Sequence, residues 1–398
     1  MKMKKIAIVS CYFQHNYGSM LQAYATQMVL YKIGYENETI DVSGFIGEIK
    51  KAKTKYFIKA SLSSDILLSK LGMAKNVLIK KFVKNDYTAL VKIRNERFDL
   101  FAKKYFRLSE AYCSKAELSK KCEENYSAIL VGSDQLWLPG NIAADYYTLN
   151  FAPESINTIA YSTSFGQSSL PKGSAKKARI FLNRIRHIAV REESGQKLVK
   201  KLTNRNVPVV CDPTLLFTGD EWLDIQKEGP IIKEAYILCY FLGNNPSHRE
   251  FAKKLKKATG CKIVALTHID EYLKCDEGYA DETPYDIDPA DFVNLIRNAD
   301  YVLTDSFHCC VFSILYKRNF FAFRRYTKNT KQSTNSRLDT LFNLTGIKGR
   351  IISGNENVEK CLNLKIDYDD VDRNLDKIRL SSYEYLNAAL RDERSTDL

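Results

Sequence analysis

The stretch Thr304-Asp305-Ser306-Phe307-His308 closes an apolar strand-like run, Tyr301-Val302-Leu303, and opens an apolar helix-like one. Turns of this kind, beyond the carboxyl ends of strands, are where open α/β sheets bind ligands. His308 is one of five histidines in the chain. At a helix start the dipole disfavours imidazolium, while a bound anion or Asp305 favours it again. A histidine balanced that way can act as a general acid. The competing reading makes Ser306 or Asp305 a plain N-cap and His308 a satisfied core residue.

Other polar clusters fall at similar places. Ser133 and Asp134 follow the run "YSAILVG". A carboxylate there suits a general base for a sugar hydroxyl, and Trp137 offers a face for sugar stacking; a helix N-cap is the alternative. "QHNYGS" (14–19) leads from a first strand into a helix. Gly18 there would let backbone approach a ligand, and the helix start offers free amides. No Gly-x-Gly-x-x-Gly is present, so there is no dinucleotide fingerprint. "YSTSFG" (161–166) is rich in hydroxyls, including Ser164. Arg191 in "VREES" could grip a carboxylate or phosphate bidentately, or pair with Glu192 or Glu193. The polar loop 328–339 carries Lys331, Asn335 and Arg337, which would add positive charge to the same pocket.

These clusters need a scaffold of strands and helices. "KIAIVS", "MLQAYATQMVLYKIG" and "ENETIDV" predict a βαβ unit, with Leu21, Tyr24, Met28 and Tyr31 on one helix face. Strand–turn patterns return at "YSAILVGSDQLW", "TIAYSTSFG" and "HIAVREESG", and "VPVVCDPTLLF" reads as a closing strand. A second series then runs "AYILCYFLG", "SHREFAKKLKKATG", "CKIVALTH", "DPADFVNLIRNAD", "YVLTDS" and "NFFAF", with helices at about 337–344 and in the tail. The pattern predicts an α/β protein of two Rossmann-like domains facing across a cleft. The N-terminal domain spans 1–217, with a helical insertion at 45–110. The C-terminal domain spans 233–370. The segment 371–398 is a terminal helix, with a return to the first domain as one option. The linker falls near 217–233.

The chain of 398 residues carries a net charge of +13. From Lys50 to Arg107, 16 Lys/Arg face 4 Asp/Glu, so a surplus of 12 lies in one segment. Its apolar repeats (Ile66, Leu67 and Leu71; Val77, Leu78 and Phe82) alternate with lysine. That suits a helix on anionic lipid headgroups, or equally a solvated helical insertion. Ten cysteines are scattered without a Cys-x-x-Cys pair. Reduced thiols, no zinc site and a cytoplasmic location are expected. No apolar run approaches the length of a membrane span.

The ordered set "NYGSMLQAY", "VGSDQLW", "YSTSFG", "VREESG", "CDPTLLF", "LTDSFHCCVFS" and "SRLDTLF" resembles the polysaccharide pyruvyl transferase family, from about residue 6 to 350. The resemblance implies a glycosyltransferase-B-like pair of domains. It implies transfer of pyruvate from phosphoenolpyruvate onto sugar hydroxyls as a cyclic ketal, with release of phosphate. The acceptor would be a precursor of bacterial capsule, exopolysaccharide or cell-wall glycan. His308 would be the catalytic acid/base, with Asp134 as acceptor-side base. Arg191, Ser306, Phe307, Arg337, Asn335 and Lys331 would face the donor. Asn16, Tyr17, Gly18, Gln22, Ser133, Gln135, Trp137 and Ser164 would lie toward the acceptor. Phosphoenolpyruvate enters as a co-substrate, with no metal and no resident cofactor. The acceptor would be a lipid-diphosphate-linked oligosaccharide, brought near by the basic segment at the inner membrane face. Cys309 departs from the family, which often has a small residue such as Gly there, and is expected to tighten the pocket.

Two other readings use the same residues. A nucleotide-sugar-dependent glycosyltransferase would share the fold, but no nucleotide-ribose carboxylate motif is evident. A non-catalytic basic binding protein would fit the charge, but no nucleic-acid module is recognisable.

Overall fold

The computed structural model describes residues 4–60, 85–267, 272–325 and 336–392. The N-terminal half runs β1 (Lys5–Val9), α1 (Tyr17–Lys32), β2 (Asn37–Thr39), α2 (Ile46–Ala60), α3 (Asn85–Tyr105), α4 (Lys115–Asn125), β3 (Tyr126–Val131), α5 (Pro139–Ala144), β4 (Asn157–Thr163), α6 (Lys172–Arg184), β5 (His187–Val190) and α7 (Glu193–Thr203). The C-terminal half runs β6 (Tyr236–Tyr240), α8 (Pro246–Thr259), β7 (Lys262–Ala265), α9 (Pro289–Asn298), β8 (Tyr301–Thr304), α10 (Phe307–Leu315), β9 (Asn319–Phe323), α11 (Ser336–Thr345), β10 (Ile351–Ile352), α12 (Val358–Leu362) and α13 (Tyr368–Leu390). The two sheets are ordered β2-β1-β3-β4-β5 and β10-β9-β8-β6-β7. Every strand pair within them is parallel.

That order explains where a ligand can go. Strand order reverses between β1 and β3 in the first sheet and between β6 and β8 in the second. Loops diverge at such switch points and leave a crevice. Both crevices open at carboxyl ends of strands, and the polar clusters follow those strands. Apart from the polar edge strand β2 (Asn-Glu-Thr), the strands are short and mostly apolar, as parallel sheets covered on both faces require; all seven residues of β4 are buried.

Several expectations change. "VPVVCDPTLLF" is not a strand: Val209 makes one isolated bridge to Val190, and Pro213–Leu216 is a 3-10 turn capped by Asp212. Proline at 208 and 213 removes the donors a central strand needs. Helix α1 has no single apolar face. Its first turns are buried on all sides between the sheet and the C-terminal domain, while Tyr31 is 48% exposed. Its Tyr17 donates to Ile287 O at 3.0 Å and stacks on Phe292 at 4.5 Å.

The repeats from Ile66 to Phe82 lie outside the described residues. The flanking helices do different jobs. Helix α3 buries Arg94, Phe98 and Phe101. Arg94 donates to the carbonyls of Thr267 and Pro284 at 2.6 Å each, and Arg97 to Asp286 O at 2.9 Å. Part of the basic segment is therefore a clasp between the domains. Helix α2 keeps Lys50, Lys51, Lys55 and Lys59 exposed. Helix α13 comes back to the first sheet, where Asn157 donates to Ala389 O at 2.7 Å and Tyr385 to Ala160 O at 3.0 Å. Among the described residues, which include all ten cysteines, no disulfide is present. Among the described residues no helix is long and apolar enough to cross a membrane.

Candidate active site

A cavity of about 350 Å³ lies where the loops after β1, β3, β6 and β8 meet. Its N-terminal wall includes Gln14, Asn16, Ser19, Lys53, Phe57, Asp134, Gln135 and Asn141. Its C-terminal wall is Leu242, Ser306, Phe307, His308, Arg325 and Arg337.

His308 occupies the first turn of α10. Ser306 caps that helix, its hydroxyl accepting from Cys309 N, so the N-cap reading holds for Ser306. Asp305 is a strut: its carboxylate accepts from Leu242 N at 2.7 Å and Gly243 N at 2.8 Å, tying the β6 loop to β8. The imidazole crosses to the other domain. Its Nε2 lies 3.4 Å from Asp212 Oδ2, within ion-pair range but without hydrogen-bond alignment. Its Nδ1 faces Gly18, where an added Cβ would stand only 2.0 Å away. Gly18 thus admits His308 rather than a ligand.

Behind the histidine is a buried network. Asp212 accepts from Ser133 Oγ at 2.7 Å, Arg191 Nη1 at 2.8 Å and Thr214 Oγ1 at 2.7 Å. Against its burial, His308 and Arg191 hold the carboxyl far below the usual range. Arg191 also reaches Asp134 at 3.5 Å, and its guanidinium stacks 4.5 Å over the Phe307 ring. Its side chain is 1% exposed. That corrects the expected donor grip: Arg191 is an internal cation shared by two aspartates, and its ion pairs run to neither Glu192 nor Glu193.

Asp134 faces the cavity and accepts from Ser19 Oγ at 2.7 Å. Burial opposes its charge, but Arg191, His308 and Ser19 outweigh it and hold the carboxyl at about 2. Its φ is +83°, a left-handed conformation costly for a non-glycine residue. Strain of this kind is held where the surroundings impose it.

Two further cations open to the cavity. Arg325 sits at the end of β9 and pairs with Asp305 at 3.5 Å. Arg337 is buried in the first turn of α11, and its Nε has no hydrogen-bond partner among the described residues. Burial and repulsion from Arg191 push its guanidinium down to about 9, although Asp134 draws it back. At neutral pH it remains a buried cation short of counter-charge. Nearby, burial raises the Glu192 carboxyl; its Oε1 accepts from Ser164 at 2.9 Å.

Of the residues singled out from sequence, Asn16, Asp134, Gln135, Ser306, Phe307, His308 and Arg337 line the cavity. Ser133 and Arg191 stand behind it. Four do not reach it. Trp137 is wholly buried, donates to Tyr147 O and packs on Phe165 and Phe181, so it presents no face to a sugar. Gln22 donates to Ser19 O, Tyr17 bonds across the domains, and Ser164 holds Glu192. Cys309 is buried away from the cavity and does not tighten it. Lys331 and Asn335 lie outside the described residues. Sequence reading missed Asp212, Lys53, Phe57 and Arg325. Asp212 and Arg325 each follow a β-like apolar run, a signal already used for Asp134. Lys53 and Phe57 carried no signal, because only the fold brings α2 to the cavity. Among the described residues no group of His, Cys, Asp or Glu is placed to hold a metal ion.

The chain is similar in structure to a Listeria monocytogenes protein assigned as a UDP-N-acetylglucosamine 2-epimerase, at 11% identity and TM-score 0.52, covering 99% of this chain and 97% of that one. A second UDP-N-acetylglucosamine 2-epimerase matches at 10% identity and TM-score 0.51, covering 100% and 99%. At such identities the likeness shows the fold: a glycosyltransferase-B-type pair of domains. No curated protein matches in sequence. The family model for polysaccharide pyruvyl transferase matches residues 16–325, from the start of α1 to just beyond β9. By that match across most of its length, the chain belongs to the polysaccharide pyruvyl transferase family and is a transferase.

Proposed function

We propose that the protein moves the pyruvate unit of phosphoenolpyruvate onto two hydroxyls of a sugar in a bacterial surface-polysaccharide precursor, forming a cyclic ketal. The observation that carries this reading is Arg337, a buried guanidinium short of counter-charge on the same wall as His308. Phosphoenolpyruvate carries about three negative charges and suits two arginines that can grip phosphate and carboxylate.

The roles follow from position. His308 gives a proton to the methylene carbon, leaving an oxocarbenium-like centre at C2. Asp134, held anionic, faces that developing charge and orients the first hydroxyl. With a carboxyl near 2 it is a weak proton acceptor at neutral pH, so the hydroxyl proton returns to the imidazole as the C–O bond forms. The second hydroxyl then attacks C2, and its proton leaves with the phosphate. One hydroxyl proton ends in the new methyl group and the other in hydrogen phosphate, so the reaction balances. Asp212 and Gly18 hold the imidazole in place.

A lipid-diphosphate-linked acceptor fits the exposed lysines of α2 beside the cavity mouth. Flotation with anionic vesicles, lost at high salt, checks that contact. The donor is tested by thermal unfolding with phosphoenolpyruvate beside a panel of nucleotide sugars. At 100 times its dissociation constant a ligand stabilises by roughly 2.7 kcal/mol. A shift with phosphoenolpyruvate, lost in Arg337→Met, is expected. Without its buried charge, the unliganded variant should melt no lower than wild type. A shift with a nucleotide sugar alone would move the reaction to glycosyl transfer.

A further inference from the structure

The donor reading occupies only one of the cavity's two cationic walls. Arg325, Arg337 and His308 come from the C-terminal domain. Across from them Lys53 projects from α2, one helical turn before Phe57. Among the described residues no carboxylate pairs with Lys53. Burial pushes its ammonium down, and the neighbouring Cys11 thiol, itself kept neutral by burial, supplies no counter-charge. The aromatic ring of Tyr147 lies 6.0 Å from its Nζ. A partly desolvated cation without a counter-ion is costly, and a ligand anion offsets that cost.

The rest of this wall is chemically unlike the donor side. The same wall carries Gln14, Asn16 and Asn141; Asn16 Oδ1 caps α1 through Ser19 N and Asn141 Nδ2 donates to Gln135 O, which leaves their remaining amide atoms and Gln14 to bond hydroxyls. Phe57 lines the cavity while 47% exposed. Its ring lies over Gly140, where an added Cβ would stand 3.1 Å from Cζ. The negative face of such a ring attracts the weakly positive C–H edges of a sugar. Trp137 cannot supply that face.

We infer that the N-terminal wall is a subsite for an anionic sugar, in which Lys53 pairs with a phosphate on the acceptor and Phe57 stacks on its ring. This rests on the transferase reading above and names the acceptor class within it. A compact ammonium suits phosphate as a point charge. The phosphate could belong to a lipid-carried diphosphate or to a free sugar phosphate.

The test is calorimetric titration of the full chain, with and without saturating phosphoenolpyruvate. The probes are matched pairs: the 1-phosphates and the methyl glycosides of glucose, galactose, mannose and N-acetylglucosamine. At least one phosphate is expected to bind about ten- to hundredfold more tightly than its methyl glycoside. Lys53→Gln should erase that preference and leave phosphoenolpyruvate affinity unchanged. Phe57→Ala should weaken both members of the pair. Tighter binding of farnesyl-diphosphate-linked N-acetylglucosamine than of the free 1-phosphate assigns the lipid-carried source; equal binding assigns the free one. The inference is overturned if no pair shows a preference for phosphate, or if Lys53→Gln weakens phosphoenolpyruvate instead. Should phosphoenolpyruvate fail to bind while the Lys53-dependent preference persists, the donor reading falls and the subsite stands.

Discussion

Gly18 of one domain packs directly against the imidazole of His308 from the other: a Cβ at position 18 would lie 2.0 Å from Nδ1 and 2.5 Å from Cγ. His308 is therefore positioned by both domains. It is borne on α10, and its ring is held between Gly18 and Asp212, both N-terminal. The two domains must sit together for the ring to hold this position.

Gly18→Ala should displace the imidazole while leaving the helix intact, since alanine is the better helix former. The expected outcome is a fall in kcat of at least about a hundredfold, as for loss of a positioned acid, with the circular dichroism spectrum unchanged. His308→Ala in the same background should then cost little more. A Gly18→Ala enzyme with near-normal kcat would show that the ring needs no such contact.

The Asp134, Asp212 and Arg191 cluster predicts how stability depends on pH. Both carboxyls are lower in the folded state than their ordinary value of 3.8, and Asp134 stands at about 2. A depressed acid contributes stability that is present above its unfolded value and lost as pH falls through its folded one. The melting temperature should therefore drop between about pH 4 and pH 2, with Asp134 supplying on the order of 2 kcal/mol. Asp212→Asn leaves Arg191 with a single ion pair among the described residues, the 3.5 Å contact to Asp134. It should lose about 3–5 kcal/mol at neutral pH and show a shallower acid limb. Calorimetric melts from pH 2 to 8 measure both; an acid limb as steep as that of wild type would remove Asp212 from this role.

Much of this site was legible because its residues obey one local rule: polar side chains after a buried parallel strand face the crevice. Asp134, Ser306 and His308 follow that rule. The failures have physical causes. Trp137 obeys it in sequence, but the chain turns at Leu138 and the indole finds a carbonyl in the core. Arg191 lies at a strand end, yet two aspartates distant in sequence draw it inward. The prolines flanking "VVCD" end the ladder after one bridge, so the apparent strand is an extended connection that delivers Asp212. Lys53 and Phe57 could not be found by any local rule, because their position depends on how an insertion folds back onto α5.

That insertion gives the last prediction. Arg94 is 1% exposed, bonds the carbonyls of Thr267, Pro284 and Tyr285, and lies 4.6 Å over the Tyr285 ring. One N-terminal side chain thus holds three backbone acceptors of the C-terminal domain. Arg94→Met keeps most of the apolar stem and removes these bonds, at a cost on the order of 3 kcal/mol. Because closure brings His308 to Gly18 and Asp212, an opened cleft lowers the fraction of competent enzyme, and apparent affinity falls with that fraction. Ligand that bridges both walls draws the cleft shut again. The variant should therefore show a raised KM for phosphoenolpyruvate and a kcat close to wild type, with a larger radius of gyration by X-ray scattering that shrinks when substrate is added. A lowered kcat with unchanged KM and no change in scattering would mean that Arg94 braces only its own helix.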